Sequence, residues 1–292
     1  MTEGFISTIQ GYSTKDGPGI RSTVFLVGCN LRCAWCSNPE LMLDGEKDMV
    51  FDVNGTRYTE HVGTRISARQ LAEQLARDRI FYEESGGGVT FSGGEPALQG
   101  EFVRETAGLL KGMGISCALD TAGDVSYEVL EDLSKVMDLF LFDLKAFDPS
   151  MHKRCTGVTN ERIISNVKRL AEQGQSLIIR LVVVPGYNDA AEDLKNRLRL
   201  VKSLGESVKR VDVLPYHTLG AGKYQRLGLH YPIASDLKVT AECLEEIRAL
   251  AAKTGVTIQI ESVSYKYTGY SCRYPVFSVS GENRRKPELF NI

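Results

Sequence analysis

The sequence lacks the features of membrane-spanning, secreted and disordered proteins. No apolar run in its 292 residues approaches the ~18 residues of a membrane span. The first residues, MTEGFISTIQGYS, contain neither the basic region nor the apolar core of a signal peptide. Because 42% of the residues are apolar and 25% are charged, the composition suits a folded chain with a full core. We therefore expect one large cytoplasmic domain without membrane contact.

The chain also lacks a surplus of either charge and a regular set of cysteines. Thirty-five basic residues against 37 acidic ones leave a net charge of -2, which argues against nucleic acid as a partner. The seven cysteines are an odd number. Three of them fall between positions 29 and 36, whereas Cys117, Cys155, Cys243 and Cys272 are scattered. In a reducing compartment this clustering favours a metal site over disulfides.

From Arg21 onward, short β-branched or apolar runs alternate with longer stretches of helical period. This alternation predicts βα units and a parallel sheet, hence an α/β fold. Six units are two short of a closed (β/α)8 barrel, so we expect a partial (β/α)6 TIM-type barrel, open on one side, with its functional groups at the carboxyl ends of the strands. The predicted strands are 21–27, 88–93, 116–121, 138–145, 177–184 and 210–216, with 256–261 as an edge strand.

Two segments depart from the pattern of the main domain, residues 1–262. Within residues 41–66 the run MVFDVNGTRYTEHV predicts a small hairpin, because Asn54-Gly55 suits a tight two-residue turn. Residues 263–292 show no sustained period and are expected to form a C-terminal tail, packed on the surface or ordered by a partner.

The strongest chemical signal is GCNLRCAWCSN, directly after the first predicted strand. Cys29, Cys33 and Cys36 have the spacing Cys-x3-Cys-x2-Cys. Three thiolates on one tight loop can hold three irons of a cubane cluster and leave the fourth iron without a protein ligand. The alternative is a structural zinc site, which would need a fourth ligand from His61 or a distant cysteine.

A second signal is SGGEP, residues 92–96, at the end of the next predicted strand. Glycines there allow the backbone to approach a ligand closely. The exposed amides and Glu95 are candidates to bind the amino and carboxylate groups of an amino-acid-like ligand. A Gly-Gly turn on its own is more often only a turn, so its weight comes from its occurrence together with the cysteine loop.

These motifs together resemble the radical S-adenosylmethionine (SAM) superfamily, including the aromatic residue before the last cysteine. The segments KDGPGIRSTVFLVGC, SGGGVTFSGGEPALQ, DLFLFDLK, IIRLVVVPGYND and VDVLPYH further resemble the glycyl-radical-enzyme activating enzymes, such as those that serve pyruvate formate-lyase. The resemblance covers about residues 3 to 231.

The resemblance implies one 4Fe-4S cluster that cleaves SAM reductively to a 5'-deoxyadenosyl radical. That radical would remove a hydrogen from a glycine of a partner glycyl radical enzyme, in anaerobic metabolism. Some relatives carry a ferredoxin-like insertion with eight further cysteines, but residues 41–66 contain none. An external flavodoxin or ferredoxin is therefore expected as electron donor, and the chain is expected to act as a monomer.

The resemblance also implies site residues. The cluster ligands would be Cys29, Cys33 and Cys36, and a monovalent cation would lie beside Asp120, Thr121 and Asp143. The partner's glycine loop would meet Asp16, Gly17, Pro18 and Gly19. The SAM pocket would contain Trp35, Cys36, Ser37, Gly94, Glu95, Asp143, Leu144, Lys145, Arg180 and His217. In physical terms, Lys145 and Arg180 at strand ends could neutralise the SAM carboxylate. Each residue also has an ordinary structural reading, as a turn cap, a surface charge or a satisfied core group.

Several alternatives stay open at this point. The partner is expected to be pyruvate formate-lyase or a near relative, but a glycyl radical dehydratase, decarboxylase or C–S or C–N lyase would also suit. A radical SAM enzyme acting on a small molecule or on anaerobic ribonucleotide reductase is a rival function. A non-catalytic iron-sulfur or zinc scaffold is a rival of another class. No role is assigned to Cys272.

Overall fold

The computed structural model describes residues 1–43, 45–53, 55–234 and 236–261. It contains a nine-stranded sheet, a separate two-stranded hairpin and helices between the strands. The strands are β1 (Glu3–Ser13), β2 (Arg21–Leu26), β3 (Lys47–Val53), β4 (Thr56–Val62), β5 (Thr64–Ser67), β6 (Gly88–Gly93), β7 (Ser116–Thr121), β8 (Leu139–Asp143), β9 (Leu177–Val183), β10 (Val208–Pro215) and β11 (Gln259–Ile260). The helices are α1 (Ala68–Leu75), α2 (Arg79–Ser85), α3 (Gly100–Gly112), α4 (Tyr127–Ser134), α5 (Pro149–Thr156), α6 (Glu161–Glu172), α7 (Ala191–Ser203), α8 (Ala221–Arg226) and α9 (Ala241–Thr254).

The six predicted βα strands form the centre of the large sheet. Its order is β11-β10-β9-β8-β7-β6-β2-β1-β5. Neighbouring strands pair in parallel throughout the part that contains β2, β6, β7, β8, β9 and β10, which follow one another in chain order. The expected edge strand is present as β11, parallel to β10. The sequence reading missed β1 and β5, which extend the other edge in antiparallel pairing.

Alternation along the strands divides the side chains between an inner and an outer face. In β8, Leu139 and Leu141 join a small inner cluster, whereas Phe140 and Phe142 belong to the main core under the helices. Because successive strand residues point to opposite faces, Asp143 continues the inner row. The helices cover the outer face: α6, for example, buries Ile163, Val167 and Leu170.

The predicted hairpin is present as β3 and β4. Val53 and Thr56 are opposite each other in the register, so a two-residue loop joins the strands. Gly55 has φ +80°, as such a loop requires, while Asn54 lies outside the described residues. Met49 and Val62 pack against Val27 and Leu41, which fixes the hairpin beside the loop after β2.

The sheet curves without closing. Among the described residues, β2 pairs with β1 and β6, and β10 pairs with β9 and β11, so the first and last barrel strands do not meet. Across the open side, Lys15 forms an ion pair with Glu261. The chain thus forms the expected partial barrel.

None of the helices in the described part of the chain is long and apolar enough to cross a membrane. The predicted tail, residues 263–292 with Cys272, lies outside the described residues.

Candidate functional site

The three motif cysteines lie on the segment that leaves the carboxyl end of β2, residues 28–36, which we call the cluster loop. The Gly28 amide donates a hydrogen bond to the carbonyl of Leu41 at 2.9 Å, which closes the base of the loop. Cys29, Cys33 and Cys36 are free thiols and all line one cavity of about 370 Å³. The cavity opens inside the partial barrel, because its other walls come from β2, β6, β7, β8, β9 and β10.

The donor set suits an iron-sulfur cluster. Burial raises the pKa of Cys29 to about 11, of Cys33 to about 12 and of Cys36 to about 11. The thiols are therefore neutral in this state, and binding iron must displace their protons. Three thiols around a cavity of this size can hold three corners of a cubane. His61, the zinc alternative, instead lies exposed on β4 with Nδ1 2.7 Å from Asp48. Among the described residues, no three His, Cys, Asp or Glu side chains converge to hold a single metal ion.

The SGGEP turn is bonded to the base of the cluster loop. The Gly94 amide donates to the carbonyl of Leu26 at 2.9 Å, and the Glu95 amide donates to the carbonyl of Gly28 at 2.8 Å. A Cβ atom at Gly94 would lie 2.0 Å from that Gly28 oxygen and 2.9 Å from the carbonyl oxygen of Leu41. Only glycine permits this approach, so the turn and the loop form one rigid unit.

We expect Gly94→Ala to lower the free energy of unfolding by about 1–3 kcal/mol, because the added methyl group would meet backbone rather than a flexible side chain. Affinity for SAM should fall with it, since the turn would move away from the cluster loop. Urea unfolding and equilibrium binding of SAM measure the two effects. Gly108→Ala in α3 is the matched control: its Cβ meets nothing within 4 Å, so it should stabilise the protein by about 0.4–1 kcal/mol. Equal stability of the two variants would contradict the close packing of Gly94 against the cluster loop.

The Glu95 carboxylate is fully committed to protein partners and is absent from the cavity wall. It accepts hydrogen bonds from the Thr121 hydroxyl at 2.7 Å, the Ala122 amide at 2.9 Å and the Ala97 amide at 3.1 Å. The side chain is buried at 1% exposure. Glu95 therefore joins the SGGEP turn to the end of β7, and its predicted contact with SAM stays a prediction.

Burial raises the pKa of Glu95 from an ordinary 4.5 to about 7, although its three hydrogen bonds oppose the shift. A carboxyl whose pKa is raised on folding stabilises the fold fully below its unfolded pKa and loses that contribution as the pH rises through the folded pKa. Between about pH 5 and pH 8 this group should cost the protein about 2–3 kcal/mol of stability.

Glu95→Gln should remove that part of the pH dependence, because the amide does not titrate. Urea unfolding at a series of pH values provides the measurement. Glu101→Gln, at an exposed position in the first turn of α3, is the matched control. If the wild type and both variants show the same slope of stability with pH, the raised pKa is wrong.

Four charged residues form the wall opposite the cluster loop, and we call them the charged quartet: Asp120, Asp143, Lys145 and Arg180. The Arg180 guanidinium joins both carboxylates, with Nε 2.7 Å from Asp143 and an ion pair to Asp120. Lys145 Nζ lies 2.8 Å from Asp143, and the Ser92 hydroxyl donates to Asp120 at 2.6 Å. All four side chains are only 11–13% exposed and line the cavity.

The two carboxylates of the quartet titrate differently. Burial raises the pKa of both, but the charges of Arg180 and Lys145 outweigh burial at Asp143 and lower its pKa to about 2. At Asp120 burial prevails over the charge of Arg180, and the pKa rises to about 6. Asp143 is thus ionised throughout the physiological range, and above about pH 6 the quartet carries two charges of each sign.

Strand alternation explains which predicted residues reach the cavity. Asp143 and Lys145 point inward, whereas Leu144 between them is 2% exposed and packs in the main core. In the same way Asp120 points inward while Thr121, 2% exposed, bonds to Glu95 on the outer side. Of the three residues predicted to hold a cation, Asp120 and Asp143 face the cavity and share Arg180, whereas Thr121 bonds to Glu95, and the cation stays a prediction.

Of the remaining predicted SAM residues, Trp35 lies on the cluster loop, Ser37 directly follows it and His217 follows β10. Trp35, Ser37 and His217 all line the cavity. The Trp35 ring is buried and meets Tyr187 edge to face, with ring centroids 6.4 Å apart. Burial lowers the pKa of His217, so this imidazole is neutral at physiological pH and can both donate and accept a hydrogen bond.

The DGPG segment is divided between two places. The Asp16 carboxylate accepts hydrogen bonds from Thr23 at 2.7 Å and from Ser13 at 2.6 Å, and Asp16 lines the cavity. The Gly17-Pro18-Gly19 turn instead lies at the amino ends of the strands, where Gly19 packs against Gly87. The segment thus connects the barrel interior with its outer rim, and contact with a partner stays a prediction.

Some cavity residues were missed by the sequence reading. Ser92 follows the inward alternation of β6, so a strict period-2 reading of GVTFSG would have found it. Asn38, the last residue of GCNLRCAWCSN, accepts a hydrogen bond from Lys223 at 2.6 Å. That contact joins positions 185 residues apart, and no local signal predicts it.

Comparison with known proteins agrees with this geometry. The profile of the radical SAM superfamily matches residues 23–199. The trans-4-hydroxy-L-proline dehydratase activating enzyme of Clostridioides difficile is 36% identical over 290 residues, which cover 84% of this chain and 95% of the relative. The pyruvate formate-lyase-activating enzyme of Listeria monocytogenes is 36% identical over 274 residues, which cover 91% of this chain and 100% of the relative.

Among solved structures, a radical SAM methyltransferase from Sphaerobacter thermophilus matches with a TM-score of 0.58 and 16% identity, over 88% of this chain and 76% of that one. At this identity the match shows the fold alone. The family profile and the two relatives at 36% identity also show the family. The chain belongs to the radical SAM superfamily and, within it, to the glycyl-radical-enzyme activating enzymes.

Proposed function

We propose that this chain installs a glycyl radical on pyruvate formate-lyase or a near relative. Membership of the superfamily implies a 4Fe-4S cluster and SAM. The observation that carries the proposal is that three free thiols, the Gly93-Gly94 turn and the charged quartet line one cavity of about 370 Å³. A cluster ligand set, a backbone cradle and a pair of buried cations are what a site for SAM beside a cluster requires.

Cys29, Cys33 and Cys36 would hold a 4Fe-4S cluster, which would supply the electron that cleaves the sulfonium bond of SAM. The chain's own residues supply binding and orientation. Gly93 and Gly94 pack against the backbone of β2 and of the cluster loop, and both line the cavity, so the turn can offer main-chain groups to the methionine part. Lys145 and Arg180 offer buried donors to its carboxylate.

The charge of the quartet suits such a ligand. Two buried cations held by two carboxylates form a neutral but strongly polar wall, and the amino-acid end of SAM is itself a zwitterion. The wall can therefore bind it without leaving a net buried charge, which would be costly. Asp143 holds both Lys145 and Arg180 in place, and its low pKa keeps it ionised in this role.

The open side of the barrel supports a macromolecular substrate. Among the described residues β2 and β10 do not pair with each other, and we infer that a polypeptide loop reaches the cavity through this open side, where the Lys15–Glu261 ion pair lies. Enclosing that loop and the reacting groups together keeps them close and shields them from water. We infer that the protein acts in the cytoplasm as a monomer, with a flavodoxin or ferredoxin as electron donor.

Anaerobic reconstitution tests the proposal. The protein with iron and sulfide should bind about four irons, and with dithionite and SAM it should release 5'-deoxyadenosine and methionine. After addition of pyruvate formate-lyase, electron paramagnetic resonance should show a glycyl radical. No glycyl signal with any glycyl radical enzyme would overturn the proposal. Two irons or fewer, or no 5'-deoxyadenosine, would favour the scaffold function instead.

A second candidate partner has equal support from the comparisons. The relative from Clostridioides difficile, whose name refers to a dehydratase, is as similar to this chain as the pyruvate formate-lyase activator is. A panel that contains both types of partner, each incubated with the same activated protein, distinguishes them. A radical on the dehydratase alone would replace pyruvate formate-lyase as the partner and leave the chemistry unchanged.

A further inference from the structure

Exposed cations surround the outer side of the cluster loop. Arg32 lies on the loop itself, Lys153 and Arg154 occupy the last turn of α5, and Arg162 lies in the first turn of α6. All four side chains are exposed. We call this surface the basic face.

The basic face is in direct contact with the backbone of the cluster loop. The Arg32 amide donates to the carbonyl of Thr156 at 2.7 Å, and the Ala34 amide donates to the carbonyl of Cys155 at 2.9 Å. The end of α5 therefore lies against the loop. In addition, Nη1 of Arg32 donates to the carbonyl of Cys29 at 2.6 Å. The charged group of Arg32 is thus one hydrogen bond away from the backbone of a cysteine that lines the cavity.

The positive charge of the face is only partly cancelled by nearby acids. Lys153 and Arg154 form no ion pair with any residue that the structure describes. Asp124, whose side chain is 12% exposed, lies 3.6 Å from Arg162 and bonds to the loop, while Glu161 is the exposed acid beside it. Since the whole chain carries a net charge of -2, this cluster of cations is a local departure from its average.

On the other side of the cluster loop, the cations of α8 among the described residues are already engaged, and Arg226 lies over the ring of Phe51. Gly220 is packed so closely there that a Cβ would lie 2.7 Å from the carbonyl of Cys36. Lys223, the nearby cation, is already paired with the buried carboxylate of Glu40. Approach to the loop by a charged partner is thus favoured on the basic face.

We propose that the basic face is the docking surface for a small acidic protein that carries one electron to the cluster. This inference rests on the proposed function, because it needs a cluster on the loop. The step transfers one electron from the reduced carrier, which is oxidised, to the cluster, which is reduced; no atom, proton or bond is exchanged. Opposite charges on the two surfaces increase the rate of encounter and orient the carrier toward the loop.

The double variant Lys153→Glu/Arg154→Glu tests the docking surface. We expect it to weaken binding of flavodoxin, or of a bacterial ferredoxin tested in parallel, and to slow reduction of the cluster by that carrier about tenfold or more. For the wild type, raising NaCl from about 50 to about 300 mM should weaken binding in the same way. Binding of the oxidised carrier is measured by calorimetry, and reduction by stopped-flow absorbance, both on the reconstituted protein.

The control variant Arg69→Glu/Arg77→Glu makes the same change of charge at exposed positions near β5, at the far edge of the sheet. It should bind and accept electrons as the wild type does. Reduction by dithionite, a small molecule, should be unchanged in every variant. The neutral variant Lys153→Gln/Arg154→Gln should give an intermediate loss.

Two results would overturn the docking surface: no carrier binds the wild type, or the Lys153/Arg154 variants bind and react with it as the wild type does. Failure of the proposed function looks different. In that case dithionite with SAM gives no glycyl radical on any partner even in the wild type, whatever the carrier measurements show.

Discussion

Replacing Cys36 by alanine should abolish reductive cleavage of SAM. The three thiols of the cluster loop are its complete cysteine set, and a cubane held by two thiolates loses a corner ligand next to the expected SAM position. Iron content after reconstitution should fall well below four per chain, and 5'-deoxyadenosine should drop to the background of the assay. Both are measured on the same anaerobic preparation.

Cys155→Ala is the matched control for this loss. Cys155 is also buried, at 3% exposure, and its carbonyl accepts a hydrogen bond from the cluster loop, but its thiol faces the carbonyl of Tyr187 at 3.5 Å. It does not line the cavity and should keep full iron content and SAM cleavage. Normal iron content in the Cys36 variant, or its loss in the Cys155 variant, would show that the ligand set has been assigned incorrectly.

Arg180→Leu should be strongly destabilising and should also lose SAM. The substitution leaves Asp120 and Asp143 buried without the guanidinium that joins them, and breaking a buried pair in this way costs about 3–5 kcal/mol. The pKa of both carboxylates should rise, because the positive charge that lowers it is gone. Urea unfolding and equilibrium binding of SAM provide the measurements.

Two further variants separate charge from geometry at this position. Arg180→Lys keeps one positive charge but loses the planar fork that reaches two carboxylates, so its stability should fall between wild type and the leucine variant. Arg199→Leu removes an exposed arginine, 57% accessible, from α7 and should change stability by about 0.5 kcal/mol or less. A leucine variant at position 180 that unfolds like the wild type would contradict the bridging role.

The sequence was sufficient to predict the central strands and many of the side chains that face the cavity. Short apolar runs separated by helical stretches predicted all six barrel strands. The four residues of the charged quartet came from the family resemblance, which assigned Lys145 and Arg180 to SAM and the two aspartates to a cation, and Arg180 lies within β9 rather than at its end. The division between Asp143 and Leu144 was also available, because alternation places neighbours on opposite faces. Asp143 and Leu144 were both assigned to the SAM pocket because they lie in one matched motif, and the two-residue period of the strand was not applied to that motif.

Other features depend on contacts between distant parts of the chain. β1 joins the sheet in antiparallel pairing before the first βα unit, so the βα alternation did not include it. The partners of Glu95 come from the end of β7, and those of Arg32 come from the end of α5. These contacts between distant residues depend on how the sheet curves, and a local pattern of residue types does not predict that curvature.

The ion pair of Lys15 and Glu261 has a mechanical consequence for the open side of the barrel. The lysine side chain is 64% exposed, so the pair is screened by water and salt, and pairs of this kind contribute about 1 kcal/mol or less. Separating the two residues changes an equilibrium constant by no more than about fivefold. Among the described residues, separating Lys15 from Glu261 breaks no strand pairing, and a binding partner of even modest affinity can supply the free energy that opening this contact costs.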